Sequence, residues 1–443
     1  MQNLKVIKAF PQDFIFGVAT SSYQIEGSKY GHCGLSHWDV FAKKENATFN
    51  YEDGSDACRH ILKWEQDLNL IKEAGFSAYR FSFSWPRLLP EGRGKINSKG
   101  ISFYDKLIDG MLDRGLLPFA TLYHWDLPNN LASKGGWQIK DTCKWFADYS
   151  DLIMQKFGDR LHSIATINEP WCVSWLSHYW GEHAPGIRNI SATAKTMHNI
   201  LLAHAKSMEV IRDYGHKNAG IVLNKLFVEP FDESTQAKEV KELCDNIYNL
   251  WFDKALFKGK YPKNVLKIFE GYMPENYEEE LKFINQPIDW VGVNYYTRSI
   301  IKPDPLEPNI GFKCLNGNLK TTDMNWEIYP EGLYFLLKRL SKNYATGLPI
   351  HITENGMANQ DIISENKVID NERISYFSLH LDQIYKLLNE GLPIKSYFAW
   401  SLLDNFEWSY GYSKRFGIIY VDYKTQKRIP KSSWFAFKNE LNE

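Results

Sequence analysis

Hydrophobic positions follow two patterns that alternate along the chain. Short apolar runs rich in β-branched and aromatic residues occupy positions 14–19, 78–83, 117–123, 164–167, 220–223, 290–293, 350–353 and 396–400. Each is nearly continuous in hydrophobicity, as expected of strands buried on both faces of a parallel sheet. Longer segments with helical spacing lie between them. Ile61, Trp64, Leu68 and Ile71 fall at i, i+3, i+7 and i+10 and are stopped by Gly75; Ile374, Phe377, Leu381, Ile384 and Leu388 repeat the pattern before Gly391 and Pro393. Eight strand candidates alternating with helices predict an α/β fold, a (β/α)8 TIM barrel, since eight is the number that closes a parallel barrel. The extra length falls in the connections 25–57, 169–190 and 297–330, which predicts elaborated βα loops. At ~150 residues per domain the length suggests three, but α/β barrels run well past that as one unit. With no linker or composition break, residues 1–443 are expected to form a single domain.

A barrel carries its chemistry where strands end and βα loops begin. Those positions hold Gln24, Arg80, His124-Trp125, Asn168-Glu169, Asn224, Asn294-Tyr295-Tyr296, Glu354 and Trp400. Exposure to solvent would explain one or two polar strand ends, but not eight. Two carboxylates stand out: Glu169 in Thr166-Ile-Asn-Glu-Pro170 and Glu354 in Ile352-Thr-Glu-Asn-Gly356, each directly after an apolar run. At one end of one barrel, such a pair is the minimum equipment for glycoside hydrolysis. One carboxyl protonates the departing oxygen while the other attacks the anomeric carbon or activates water. Arg80 and Tyr296 could hold one carboxyl ionised, by charge and by hydrogen bonding. The proton donor needs surroundings that raise its pKa.

The motifs around these residues resemble those of glycoside hydrolase family 1, the β-glucosidase family, from about Phe10 to Ala436. Phe14-Ile-Phe-Gly-Val-Ala-Thr-Ser-Ser-Tyr-Gln-Ile-Glu-Gly27 is similar to that family's opening signature. Tyr79-Arg-Phe-Ser-Phe-Ser-Trp-Pro-Arg87, Tyr123-His-Trp-Asp-Leu-Pro128, Asn168-Glu-Pro170, Ile352-Thr-Glu-Asn-Gly356 and Trp400-Ser-Leu-Leu-Asp-Asn-Phe-Glu-Trp408 match its other motifs in order. The resemblance implies an exo-acting β-glycosidase, foremost a β-glucosidase, that retains anomeric configuration through a covalent glycosyl-enzyme, without a cofactor. It implies Glu169 as acid/base and Glu354 as nucleophile, supported by Arg80, Asn168 and Tyr296. Gln24, His124, Trp125, Asn168, Tyr296, Glu407 and Trp408 would bind the terminal sugar, with Trp400 as its stacking floor. Trp326, Asn224 and Cys172 would line the leaving-group side. The chain departs from the family pattern at Asn325, where glycine is usual, and at Arg59-His-Ile-Leu62, which reads as a helix surface. Same-fold rivals are a hydrolase of 6-phosphorylated glucosides and a transglycosylase; a catalytically dead sugar-binding barrel would not require both glutamates. Glu407 argues against the phosphorylated substrate, and Lys414 and Arg415 are the cations nearest to it in sequence.

Charge and composition narrow the partners. Lys and Arg total 52 against 53 for Asp and Glu, without the basic excess of a nucleic-acid binder. The 15 Trp, 25 Tyr and 26 Phe suit both a well-filled core and sugar-stacking platforms. Six scattered cysteines without a C-x-x-C pair predict free thiols. The N-terminal residues lack a signal peptide's apolar run, and no stretch nears about 18 apolar residues. A cytoplasmic enzyme acting on a small-molecule β-glycoside, with no membrane partner, is therefore expected; oligomeric state is not legible. No H-E-x-x-H, zinc-finger spacing or G-x-S-x-G elbow occurs, so no metal is expected. Gly92-Arg-Gly94 lacks the remainder of a phosphate loop.

Overall fold

The computed structural model describes residues 4–442. Eight parallel strands close on themselves: β1 (Ile15–Ala19), β2 (Ala78–Ser82), β3 (Leu117–Tyr123), β4 (Ser163–Asn168), β5 (Ala219–Pro230), β6 (Trp290–Pro303), β7 (Ile350–Asn355) and β8 (Ile394–Trp400). Closure comes from β8 pairing with β1, with Ile15 opposite Ser396 and Ala19 opposite Trp400. The main crossover helices are α1 (His60–Glu73), α2 (Ser98–Asp113), α3 (Lys140–Phe157), α4 (Ile190–Asp213), α5 (Thr235–Asp245), α6 (Pro330–Asn343), α7 (Asn371–Asn389) and α8 (Ser432–Leu441). The expected (β/α)8 barrel is the fold observed. Both helices read from spacing are present, as α1 and α7.

The pleat divides each strand between two cores. Residues such as Ile71, Leu107, Ile153, Ile200, Leu337 and Phe377 bury the inner faces of the helices against the outside of the barrel. Inside the barrel, the rings of Phe119 on β3 and Phe398 on β8 meet at 4.9 Å although their strands are not neighbours. Small residues make room for them. A Cβ at Gly17 would lie 2.3 Å from the Phe398 ring, so this close approach excludes larger side chains.

Two sequence expectations need correction. Positions 220–223 and 290–293 mark only the buried starts of β5 and β6. Both strands continue past the barrel rim, paired from Phe227–Arg298 to Pro230–Ile301, and Phe312–Leu315 adds an antiparallel strand to β6. Part of the expected 297–330 loop is therefore sheet. Beyond the rim the strands are only partly buried and carry Glu229, Arg298 and Lys302, so their apolar pattern is no longer continuous. Residues 59–62 are not simply a helix surface. Leu62 is exposed, but His60 is buried and its Nδ1 lies 2.8 Å from Asp67, which accepts from Arg428 Nε at 2.9 Å. Arg59 holds the left-handed φ of 50° that turns the chain inward before α1. Among the described residues, no helix is long and apolar enough to cross a membrane.

Candidate active site

The carboxyl ends of the strands surround a cavity of about 560 Å³, within the usual size of a small-ligand site. Glu354 belongs to β7 and is buried. Its Oε1 accepts from Arg80 Nη1 at 2.6 Å and its Oε2 from the Tyr296 hydroxyl at 2.6 Å. A guanidinium and a phenol thus both favour negative charge on this carboxyl. Arg80 also donates from Nη2 to Asn168 Oδ1 at 2.7 Å.

Glu169 follows β4 with φ = 51°, a left-handed conformation that costs a non-glycine residue about 1 kcal/mol or more. Its backbone N–H donates to the Val222 carbonyl at 2.9 Å, which fixes the bend. Oε1 accepts from Asn294 Nδ2 at 2.6 Å and Oε2 from Cys172 Sγ at 3.1 Å. Burial pushes the pKa of Glu169 up to about 8, with the Glu354 charge as the second cause. Asn294 also donates to Asn168 Oδ1 at 3.2 Å and accepts from the Thr353 hydroxyl at 2.6 Å. A continuous relay therefore runs Glu354–Arg80–Asn168–Asn294–Glu169, and both carboxyls line one cavity.

His124 is buried after β3, and its Nε2 lies 3.1 Å from the Asn168 amide nitrogen. Burial first, then the Arg80 charge, keeps its pKa well below the ordinary value, so the ring is neutral. With Nε2 accepting, the proton belongs on Nδ1, which has no partner among the described residues. A buried donor left unpaired in a cavity wall is free to meet a ligand acceptor.

Aromatic rings form the other wall. Trp400 ends β8, and its carbonyl oxygen would lie 1.8 Å from a Cβ at position 356, so only glycine fits there. The His124 ring stacks on Trp400 at 5.8 Å, and Trp125 meets Trp408 at 4.8 Å. Trp125 and Trp408 share the left-handed φ of Glu169. Glu407, half-buried beside Trp408, is pushed up to about 8 by burial and then by the charges of Glu354 and Glu169. Gln24 is fully buried behind this wall and donates from Nε2 to Asn405 Oδ1 and the Phe406 carbonyl at 2.9 Å, and to Glu407 Oε2 at 3.3 Å.

Of the sequence-predicted residues, His124, Trp125, Glu169, Cys172, Asn224, Tyr296, Trp326, Glu354, Trp400, Glu407 and Trp408 line the cavity. Arg80, Asn168 and Gln24 stand behind it and hold the residues that do. Asn325 adopts φ = 59°, which asparagine tolerates where glycine is usual. Lys414 binds Asp323 and Arg415 binds Asp404, and neither lines the cavity. Sequence reasoning placed Asn294 at a strand end but assigned it no role in the site. Its signal was the two-residue spacing to Tyr296, which puts both on the inner face of β6 while Tyr295 turns outward to the Tyr329 carbonyl.

The family model described as glycosyl hydrolase family 1 matches residues 6–443. The chain is 45% identical over 440 residues to a 1,4-beta-D-glucan glucohydrolase of Thermotoga neapolitana, with 98% of each chain covered. It is 38% identical over 449 residues to a bifunctional beta-D-glucosidase/beta-D-fucosidase of Bifidobacterium breve, with 96% of each covered. Its fold matches that of a family 1 β-glucosidase from Thermotoga maritima with a TM-score of 0.95 at 43% identity, over 100% of this chain and 99% of that one. The same enzyme in complex with deoxynojirimycin matches with a TM-score of 0.94 at 43% identity, over 100% and 99% of the two chains. A likeness that runs from residue 6 to the C-terminus, and is not confined to one motif, means that the chain belongs to glycosyl hydrolase family 1.

Proposed function

We propose that the protein is a retaining β-glucosidase that removes terminal non-reducing β-D-glucosyl residues, with Glu354 as nucleophile and Glu169 as acid/base. The observation that carries this reading is the asymmetry of the two carboxyls. Glu354 is held by a cation and a phenol, whereas Glu169 is raised to about 8 and keeps its proton at neutral pH. In the first step a Glu354 oxygen attacks the anomeric carbon while Glu169 protonates the departing oxygen. In the second, ionised Glu169 takes a proton from water as that water displaces Glu354. Each step inverts the anomeric carbon, so the product is the β-anomer.

Glu407 and the unpaired Nδ1–H of His124 are suited to the sugar hydroxyls, with Gln24 fixing Glu407 and Asn168 fixing His124. Trp400 supplies the floor, together with Trp125 and Trp408. Trp326, Asn224 and Cys172 face the leaving group. The Bifidobacterium breve relative, named for both activities, supports fucosides as further substrates, and the glucan glucohydrolase supports cellobiose and short glucans. The six cysteines, none in a disulfide, support work in a reducing compartment such as the cytoplasm. Proton NMR of p-nitrophenyl β-glucoside hydrolysis tests the mechanism: the β-anomer should appear first, and an α-anomer appearing first would refute it.

A further inference from the structure

Cys172 is the one cysteine that meets a carboxyl of the site. It lies three residues after Glu169, at the start of the π-helical turn Cys172–Leu176, so the two side chains share a face. Its Sγ is 3.1 Å from Glu169 Oε2. Among the described residues, it is the one hydrogen-bond donor recorded on that oxygen, while Oε1 is taken by the Asn294 amide. The two partners differ in kind. An amide N–H only donates, so Oε1 keeps this partner only as an acceptor. A thiol donates weakly and accepts weakly, so it can serve Oε2 with the carboxyl ionised or protonated.

We propose that Cys172 is a positioning residue for Glu169: its thiol marks Oε2 as the proton-carrying oxygen and supports the ionised carboxyl between the two steps. The inference rests on Glu169 being the acid/base. When Glu169 is ionised, Sγ–H donates to Oε2. When Oε2 carries the proton, sulfur is too weak an acceptor to compete with the glycosidic oxygen for it. The thiol itself stays protonated, because burial and then the Glu169 charge raise it well above its ordinary value. Other groups facing Glu169 are Glu354 from β7, Arg80 from β2, Tyr296 from β6, Tyr248 from the turn after α5 and Glu407 from the loop after β8. Glu354 brings negative charge and favours the protonated carboxyl, while the thiol, Asn294 and Arg80 oppose it.

The test is the alkaline limb of kcat/KM on phenyl β-glucoside, whose leaving group needs a proton. Rates are taken per site counted by burst titration with dinitrophenyl 2-deoxy-2-fluoro-β-glucoside, so that misfolded protein does not enter the profile. Removing a donor from the ionised form raises the pKa of Glu169. Cys172→Ala should therefore move the limb up by about half to one pH unit, less than N–H or O–H donors on a carboxylate command. Cys172→Ser, which restores a donor, should return the limb to its wild-type position or lower. An unmoved limb in Cys172→Ala, or an equal upward shift in Cys172→Ser, would overturn the role of the thiol. Glu169→Gln separates the two readings: a limb that survives it overturns the acid/base assignment and this inference together, whereas a limb that it abolishes but Cys172→Ala leaves in place overturns the thiol alone.

Discussion

Trapping Glu354 as its 2-deoxy-2-fluoroglucosyl ester should lower the pKa of Glu169, and the causes of its raised pKa set the scale of the fall. Free Glu169 stands at about 8 against an ordinary 4.5, with burial as the larger cause and the Glu354 charge as the second. The charge is therefore the smaller of the two causes that raise it, while Asn294, Cys172 and Arg80 pull it down. Coulomb's law gives the scale: at the ~5.5 Å typical of retaining enzymes, two carboxylates in an effective dielectric of ~20 repel by ~3 kcal/mol, or ~2 pKa units. Esterification also leaves Arg80 without its anionic partner at 2.6 Å, and that positive charge pulls in the same direction. A fall of ~1–2 units is expected, to about 6–7.

Carbon-13 NMR of enzyme labelled at the glutamate side-chain carboxyl measures this directly, by titrating the free and the trapped protein. Glu407 is also raised by Glu354 and should move down as well, so Glu169→Gln identifies which resonance is which. The sign is what matters for the cycle. Under the proposed mechanism Glu169 is protonated near neutrality before Glu354 attacks and largely ionised once the ester exists, and a fall through this range would make it so. A pKa that stays near 8, or rises, in the trapped enzyme would refute the coupling and leave burial as the sole cause.

Glu354→Ala should abolish turnover of every glycoside tested, since no covalent intermediate can form; measurable steady-state hydrolysis of dinitrophenyl glucoside would contradict this. Glu169→Gln should slow the glycosylation step about 10²–10⁴-fold for alkyl glucosides and cellobiose but far less for dinitrophenyl glucoside; pre-steady-state rates showing equal losses would count against it. Wild-type enzyme should hydrolyse p-nitrophenyl β-glucoside and leave its 6-phosphate nearly untouched, because phosphate brings about -1.5 to -2 charge units to a site where the cations nearest Glu407 in sequence, Lys414 and Arg415, are held by Asp323 and Asp404. Glu407→Ser should damage hydrolysis of the unphosphorylated glucoside. Asp67→Asn should cost the fold about 3–5 kcal/mol in denaturant unfolding, as removal of one partner from a buried ion pair does, since Asp67 holds both His60 and Arg428.

The barrel was legible because each βα unit obeys one local rule. A strand buried on both faces must be continuously apolar, and its end must be polar where it meets the cavity. Where a strand leaves the closed barrel the rule lapses, so Lys225–Pro230 of β5 and Tyr295–Pro303 of β6 escaped the pattern. Strand ends also located Glu169, Glu354, His124 and Trp400, but not who holds whom. That Gln24 reaches Glu407 across most of the chain, or that Asn168 ties Arg80 to His124, depends on closure of the sheet. His60 was misjudged for the same reason: its partner Asp67 is local, but the Arg428 that completes the ion cluster comes from the last part of the chain.

Closure is also what lets two identical side chains take different parts. Glu169 and Glu354 each end an apolar run, and nothing in either run distinguishes a proton donor from a nucleophile. The distinction comes from their neighbours. β7 lies beside β6 and receives Tyr296 from it, while Arg80 arrives from β2 across the barrel. Glu169 instead meets an amide and a thiol, which carry no charge. Since Arg80 has one guanidinium and spends Nη1 on Glu354 and Nη2 on Asn168, the cation stabilises one carboxylate directly and the other only at a distance. The repulsion is felt by the group without a cation, and Glu169 is the carboxyl that is raised. Under the proposed mechanism the proton affinity of Glu169 depends on a charge that the reaction itself removes, so the arrangement would reset its role at each half of the cycle.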